Sequence, residues 1–246
     1  MSPVDHVLAA VHIILVAPRS PGNIGATARA IANHGLGRLV LVAPPAFDPD
    51  RARWMAPGAH EHINNAVIVG SVADAIDALD VVRVVGTTAR KRRLHTPIWG
   101  PTELARAVHT TPVPTAIVFG PEDYGLSNDS VSRCDAVLRI PTAQHSSLNL
   151  AQAVNVTAAS LRMLHDDSPA SEARRPAPAR LRALLVDDLV EVLHDTTYFA
   201  GRSETHTRAR ITQAIAALAL DHDAVAGARG MLKSLRHRIR VTSTAD

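Results

Sequence analysis

Cysteine is nearly missing: Cys134 is the single thiol in 246 residues. It can close no intrachain disulfide and build no cysteine zinc cluster. Its solitude fits a reducing compartment, so the expected localisation is cytoplasmic. Aromatic residues reach only 3%, which makes the core aliphatic and alanine-rich and leaves few rings for stacking on bases. No apolar run approaches the roughly 20 residues that span a bilayer. The best stretch, residues 7–17, is short and interrupted by His12, and no basic residue precedes it as in a signal peptide. It reads as a first, buried strand, and no membrane association is expected. Nucleotide-loop motifs are absent. There is no G-x-x-x-x-G-K-[ST], and the nearest approach to G-x-G-x-x-G, Gly35-Leu36-Gly37, follows a helix rather than a strand. His60-Glu61-His62 alternates on a loop, a spacing that seldom holds a metal, so no metal site is expected.

What is present is a large core: 46% of residues are apolar and 20% charged, a balance that excludes global disorder. The formal charge is only +3, yet the cations cluster. Arg90, Lys91, Arg92 and Arg93 form one group, Arg174, Arg175, Arg180 and Arg182 a second, and Lys233, Arg236, Arg238 and Arg240 a third. Such clusters suit a phosphate-rich partner. They equally suit a solvated surface with helix C-termini complemented by cations.

Strands are expected over 12–16, 38–42, 66–69, 81–86, 115–119 and 136–140, and helices over 24–33, 71–79, 102–108 and from about 148 to 165. Asn23 is a plausible cap for the first helix, and Ile24, Ala28 and Ile31 share one of its faces. Residues 48–65 read as polar and irregular. The alternation of strand and helix predicts an α/β fold with a mainly parallel sheet. A Pro/Ala/charge-rich linker is expected over 166–179, separating a domain of residues 1–165 from a small all-helical extension over 180–246, with helices at about 180–195, 207–220 and 223–240.

The chain is organised around residues 116–155. Two strands there end in polar loops, and a helix opens just beyond the second. In open parallel sheets ligands bind outside the carboxyl ends of the strands, and a helix N-terminus adds unpaired N–H donors. Asn23, Arg29, Thr87, Thr88, Glu122, Ser146, Ser147 and Asn149 all fall at such strand ends or in first helical turns, which points to one shared polar crevice. Each also has an ordinary reading. Asn23 and Asn149 could only cap helices, Arg29 could only extend from one into solvent, and Glu122 could only accept N–H groups of its own turn.

Three segments carry a family resemblance: Asn23-x-Gly25-x-x-x-Arg29, then Phe119-Gly120-Pro121-Glu122-x-x-Gly125-Leu126, then Ile140-Pro141-Thr142 with Ser147-Leu148-Asn149-Leu150. In order and spacing they resemble the three motifs of the SpoU/TrmH class of SPOUT RNA methyltransferases. Residues 187–239, with Ala228-Arg229-Gly230, look like the helical extension of its TrmJ-like subgroup. That subgroup methylates a ribose 2′-hydroxyl in the tRNA anticodon loop, at a cytidine or uridine of the position-32 type. The resemblance implies a trefoil knot at the end of the α/β domain. It implies a homodimer with the site completed across the interface, and S-adenosyl-L-methionine as cofactor. By motif position the cofactor would meet Thr87, Thr88, Ala89, Gly120, Ile140, Ser146, Ser147 and Leu148. Gly120, lacking Cβ, would let a ligand approach the backbone. The reaction would rest on Arg29, Asn23, Glu122, Ser147 and Asn149, with Glu122 pairing with Arg29 or ordering its own loop.

Two roles for Arg29 stay open. The resemblance implies a base, yet a guanidinium with a pKa above about 12 is an improbable one. Holding a target phosphate by charge-assisted bonds is the rival. RNA, most plausibly tRNA and alternatively rRNA, would be met by Arg19, Arg29, Arg90, Lys91, Arg92 and Arg93 and by the basic C-terminal helix. Two further readings compete: a non-catalytic RNA-binding or assembly protein on the same fold, and an unrelated nucleotide-using α/β enzyme.

Overall fold

The computed structural model describes residues 2–45, 47–89, 96–144, 147–164, 176–196 and 198–243. A short helix, α1 (Pro3–Ala9), precedes β1 (Val11–Val16), so the apolar stretch 7–17 is divided between helix and strand. Ser2 accepts the N–H of Asp5, and Pro3 sits in the first turn, a strong start signal that outweighs the strand pattern of Val7 to Ala10. Then follow α2 (Pro21–His34), β2 (Leu39–Val42), α3 (Pro49–Trp54), α4 (His60–Asn64), β3 (Val67–Val69), α5 (Val72–Leu79) and β4 (Arg83–Thr87). The expected irregular stretch 48–65 thus contains two short helices. Asp48 caps the first by accepting the N–H of Arg51, and both pack on α2. Next come β5 (Ile98–Trp99), α6 (Pro101–Thr110), β6 (Thr115–Phe119), α7 (Asn128–Ser132), β7 (Ala136–Leu138) and α8 (Leu150–Met163). The extension is α9 (Ala179–His194), α10 (Glu204–Ala217) and α11 (His222–Ser243).

The sheet runs β3-β2-β1-β6-β4-β7-β5, and its ladders are parallel throughout. Parallel sheets are covered on both faces, and alternate residues divide accordingly. Ile13, Leu15, Leu39, Leu41, Ile117 and Phe119 face a core closed by α2, α6 and α8. Ile14, Val40, Val42, Ala116 and Val118 face one closed by α5, α7 and the start of α9. Ile24, Ala28 and Ile31 are fully buried, as the helical period of α2 requires. α8 returns across the sheet to pack on α2 and α6, an arrangement consistent with a knotted domain end. Arg162 near its end donates to the last carbonyl of α2, His34 O, at 3.0 and 2.9 Å and to Asp5 at 2.8 Å, tying three helices together. Among the described residues no helix is long and apolar enough to cross a membrane, and no group of three His, Cys, Asp or Glu is placed to hold a metal ion.

His12 in β1 is part-buried, and its Nδ1 accepts the N–H of Arg38 at 2.9 Å, a role open only to neutral imidazole. Burial, and then the charge of Arg38, push its pKa down to about 4. The unfolded chain titrates near 6.5, so between those values it binds a proton that the folded state refuses. Stability from this group is therefore complete above about pH 6.5 and falls as pH drops towards 4. Urea midpoints measured from pH 7 to 4.5 should show that decline, and His12→Gln should flatten it.

The extension has its own small core of Leu185, Val186, Val190, Ile215 and Val225. Its charges are largely consumed internally. Arg229 pairs with Asp188 at 2.5 Å, Arg236 with Asp195 at 2.6 Å and with Glu191, and Arg240 with Asp195 at 3.0 Å. Of the cluster expected on the C-terminal helix, Arg236 and Arg240 are thus engaged by carboxylates of the extension itself. The carboxylates of α9 and its cap Asp195 lie opposite three of the arginines of α11, and cations so paired offer less to a polyanion.

Candidate active site

Three adjacent strands, β6, β4 and β7, end side by side. Between their carboxyl ends and the first turn of α8 lies a cavity of about 260 Å³. Thr87, Thr88, Ala89, Gly120, Ile140, Ser147 and Leu148 all line it, as does Glu122. Ser146 lies outside the described residues, and so do Arg90, Lys91, Arg92 and Arg93. The wall also includes Asp123 and Tyr124 at the mouth and an apolar floor of Leu138, Leu150 and Ala153; of these the sequence names only Leu150, as the end of the third motif, and assigns none to the site. The i, i+3 spacing of Leu150 and Ala153 behind Asn149 was a usable signal for the last two. Thr88 N–H donates to Leu138 O at 3.0 Å and the Thr87 hydroxyl to Val118 O at 3.1 Å, so both threonines are held rigid at the rim.

Gly120, which lines the cavity, has a second reason to lack a side chain. A Cβ there would come within 2.2 Å of Leu126 N and 2.3 Å of the Gly125 carbonyl carbon. The missing side chain makes room for the loop's own return, and Gly125, at φ +66°, turns it.

A hydrogen-bonded chain joins the three motifs. Asn149 caps α8: its Oδ1 accepts the N–H groups of Ala151 at 3.0 Å and Gln152 at 3.4 Å. Its amide nitrogen therefore faces away and donates to Asn23 Oδ1 at 3.0 Å. Asn23 Nδ2 then donates to Glu122 Oε1 at 2.9 Å, and Glu122 Oε2 accepts the Arg19 N–H at 3.4 Å. The helix N–H groups at one end and the carboxylate at the other fix the direction of every bond. Asn23 is free for this because Ser20, not Asn23, caps α2, accepting the Asn23 N–H at 3.3 Å. Pro21 after Ser20 marks that cap in the sequence. Burial alone would raise the pKa of Glu122. The bonds from Asn23 and from the N–H groups of Arg19, Ser20 and Glu122 itself outweigh it and hold the carboxyl below its usual range.

Arg29 stands apart. It is exposed on α2, does not line the cavity, and forms no hydrogen bond or ion pair among the described residues. Of the two roles expected of Glu122, pairing with Arg29 is not seen within the protomer, where the carboxylate accepts from Asn23 and from the Arg19 N–H. The side chain of Arg19 pairs with Asp123 across the mouth, and both side chains stay more than half exposed, at 59% and 54%.

The direction of the chain makes a test. Asn149→Asp keeps the cap and removes the donor that reaches Asn23, so methyl transfer should fall about tenfold or more while the melting temperature stays nearly constant. Asn149→Ala should lower both, losing about 1 kcal/mol of cap stability. Initial rates and thermal melts on the two variants separate the roles.

Comparison with known proteins agrees with this geometry. The model of the SpoU rRNA Methylase family matches residues 10–159. The tRNA (cytidine/uridine-2'-O-)-methyltransferase TrmJ of Pectobacterium atrosepticum is 38% identical over 182 residues, 73% of this chain and 74% of that protein. The crystal structure of TrmJ from Z. mobilis ZM4 superposes with a TM-score of 0.79 at 31% identity, covering 91% of this chain and 98% of that one. The SpoU methyltransferase AviRb from Streptomyces viridochromogenes, solved in complex with the cofactor AdoMet, superposes at 0.50 with 26% identity over 62% of this chain and 58% of its own. With the family model spanning more than half the chain and the three motifs joined by one hydrogen-bonded chain, the chain belongs to the SpoU rRNA methylase family.

Proposed function

We propose that the chain methylates a ribose 2′-hydroxyl of tRNA with S-adenosyl-L-methionine, at an anticodon-loop cytidine or uridine of the position-32 type. The observation that carries this reading is the chain Asn149–Asn23–Glu122 at the lip of a strand-end cavity. The cavity suits the cofactor. Backbone groups of β4, β6 and β7 edge it, an apolar floor lies beneath, and the carboxylates of Glu122 and Asp123 stand where a cationic ligand gains from them. When bound, the cofactor supplies an electrophilic methyl on a sulfonium, so no metal is needed to activate it.

The residues of the chain do the rest. Asn23, held on both sides, orients the sugar and its hydroxyl. Glu122 keeps its charge at the rim. Ser147 borders the space between cofactor and ribose. Arg29 grips a phosphate by charge-assisted bonds, the role that an exposed and unpaired guanidinium supports better than that of a base.

We also propose a homodimer. α2 and α8 pack side by side, and their outer faces present Arg29 and Asn33 beside Asn155, Val156 and Met163, the last 78% exposed. A two-fold contact on this face would deliver Arg29 to the second protomer's cavity. Residues 1–165 would then be the methyltransferase unit and 180–246 its helical appendage. Light scattering at micromolar concentration should give the dimer mass, and a monomer would refute the shared site.

The deciding experiment is transfer of labelled methyl from S-adenosyl-L-methionine to bulk tRNA and separately to rRNA, followed by nucleoside mass spectrometry. A 2′-O-methylated cytidine or uridine from tRNA is the expected product. Product from rRNA alone would change the partner and keep the chemistry. Cofactor binding without transfer to either would favour the non-catalytic reading.

A further inference from the structure

Trp54 is one of two tryptophans in the chain. It ends α3 with 77% of its surface exposed, and its neighbour Met55 is 52% exposed. A large ring left in water on a helix end needs a reason, and the position of α3 suggests one. α3 rests on α2 through Gly25, the glycine of the first motif: a Cβ there would come within 2.0 Å of Ala52 O and 3.0 Å of Met55 Cβ. At Gly22 a Cβ would lie 3.7 Å from Met55 Cγ. Gly22, Gly25 and Arg29 stand at i, i+3 and i+7, on one face of α2. So the Trp54–Met55 corner shares a face with Arg29. It also lies beside the turn from which Asn23 reaches Glu122 and the cavity.

We infer that Trp54 is a stacking platform for an unpaired RNA base next to the ribose being methylated, with Arg29 holding the adjoining phosphate. The inference rests on the RNA methyltransferase reading. An unpaired strand offers a flat base face and a phosphate close together, and the corner offers an indole and an unpaired guanidinium. Arg51 stands beside it, with its side chain 69% exposed and only a 3.8 Å exposed contact to Asp48. Exposed pairs of this kind contribute at most about 1 kcal/mol, so a phosphate can displace the carboxylate. The same face of α2 is the one proposed for the two-fold contact, and the ring stands at its rim: covering it fully with the second copy would desolvate Asp50, whose side chain is 83% exposed and paired to Arg53 at 2.5 Å.

With only Trp54 and Trp99 emitting, tryptophan fluorescence reads the site directly. Titrating the full chain with tRNA should quench emission. The quench should survive Trp99→Phe and largely vanish in Trp54→Phe. Trp54→Ala should lower kcat/KM for tRNA about tenfold or more, with unchanged affinity for S-adenosyl-L-methionine, whereas Trp54→Phe, which keeps a ring, should retain most of it. A quench that persists in Trp54→Phe, or full activity in Trp54→Ala, overturns the platform and leaves the methyltransferase reading intact. Trp54 emission that tRNA leaves unchanged, and that acrylamide cannot quench in the dimer, assigns the corner to the second copy instead. Absence of methyl transfer by the unsubstituted protein overturns the underlying reading, and the platform with it.

Discussion

Arg29→Ala should reduce kcat/KM for tRNA methylation by about 100-fold or more, the loss typical of removing one preorganised charge contact from a transition state. The fold should not register the change. Arg29 is exposed and without partners among the described residues, and the buried side of α2 is carried by Ile24, Thr27, Ala28 and Ile31. Surface replacements of this kind shift stability by about 0.5 kcal/mol or less, so thermal melts and affinity for S-adenosyl-L-methionine should match the unsubstituted protein. Arg29→Lys should recover little, because an ammonium cannot reproduce a bidentate grip on phosphate. The same variant distinguishes the two roles. A phosphate anchor predicts a loss that falls mainly on KM, and a shallower dependence of tRNA binding on salt, by about one unit of slope. A base predicts a loss confined to kcat, with salt dependence unchanged.

Much of this site was legible because local chemistry and family pattern coincide there. The strand ends at Thr87, Phe119 and Leu138 follow from short β-branched and apolar runs stopped by polar or glycine loops. Asn149 reads as a cap because it precedes an apolar helical period. What escaped notice is tertiary in origin. Helices α3 and α4 are too short to hold alone; Gly25 admits α3 to the surface of α2, and nothing within residues 48–65 announces that neighbour. Ser20 is the better cap, which leaves the Asn23 side chain, already placed in the site by its motif, to join the second and third motifs. Which cations of α11 are paired cannot be read from charge counts. Asp188 and Arg229 are 41 residues apart, as are Asp195 and Arg236, and only the pairing of α9 with α11 brings them together.

That same long-range economy of charge governs how the extension is held. Arg182 of α9 is 8% exposed. It donates to both oxygens of Asp135 at 2.7 and 3.0 Å, to Ala177 O at 3.2 Å and to Val82 O. Asp135 also accepts the Val84 N–H at 2.8 Å, and Gln213 of α10 reaches Cys134 O at 3.3 Å. The lock sits at the amino ends of β4 and β7, and the cavity proposed for the cofactor lies at their carboxyl ends. Arg182→Met should therefore cost about 3–5 kcal/mol of stability, because it leaves the Asp135 carboxylate buried without its cation. Asp135→Asn should cost a comparable amount by stranding the guanidinium. Combining the two should cost much less than their sum, since the desolvation of an unpaired charge disappears when both charges go. Urea unfolding of the two single variants and the double variant measures that coupling directly. At temperatures where Arg182→Met stays folded, its affinity for S-adenosyl-L-methionine should be essentially unchanged, because strands of three and five residues, hydrogen-bonded along their length, hold Thr87, Thr88 and Ile140 in place without the lock. A strong loss of cofactor affinity in the folded variant would mean instead that the extension sets the shape of the cavity from the far end of the sheet.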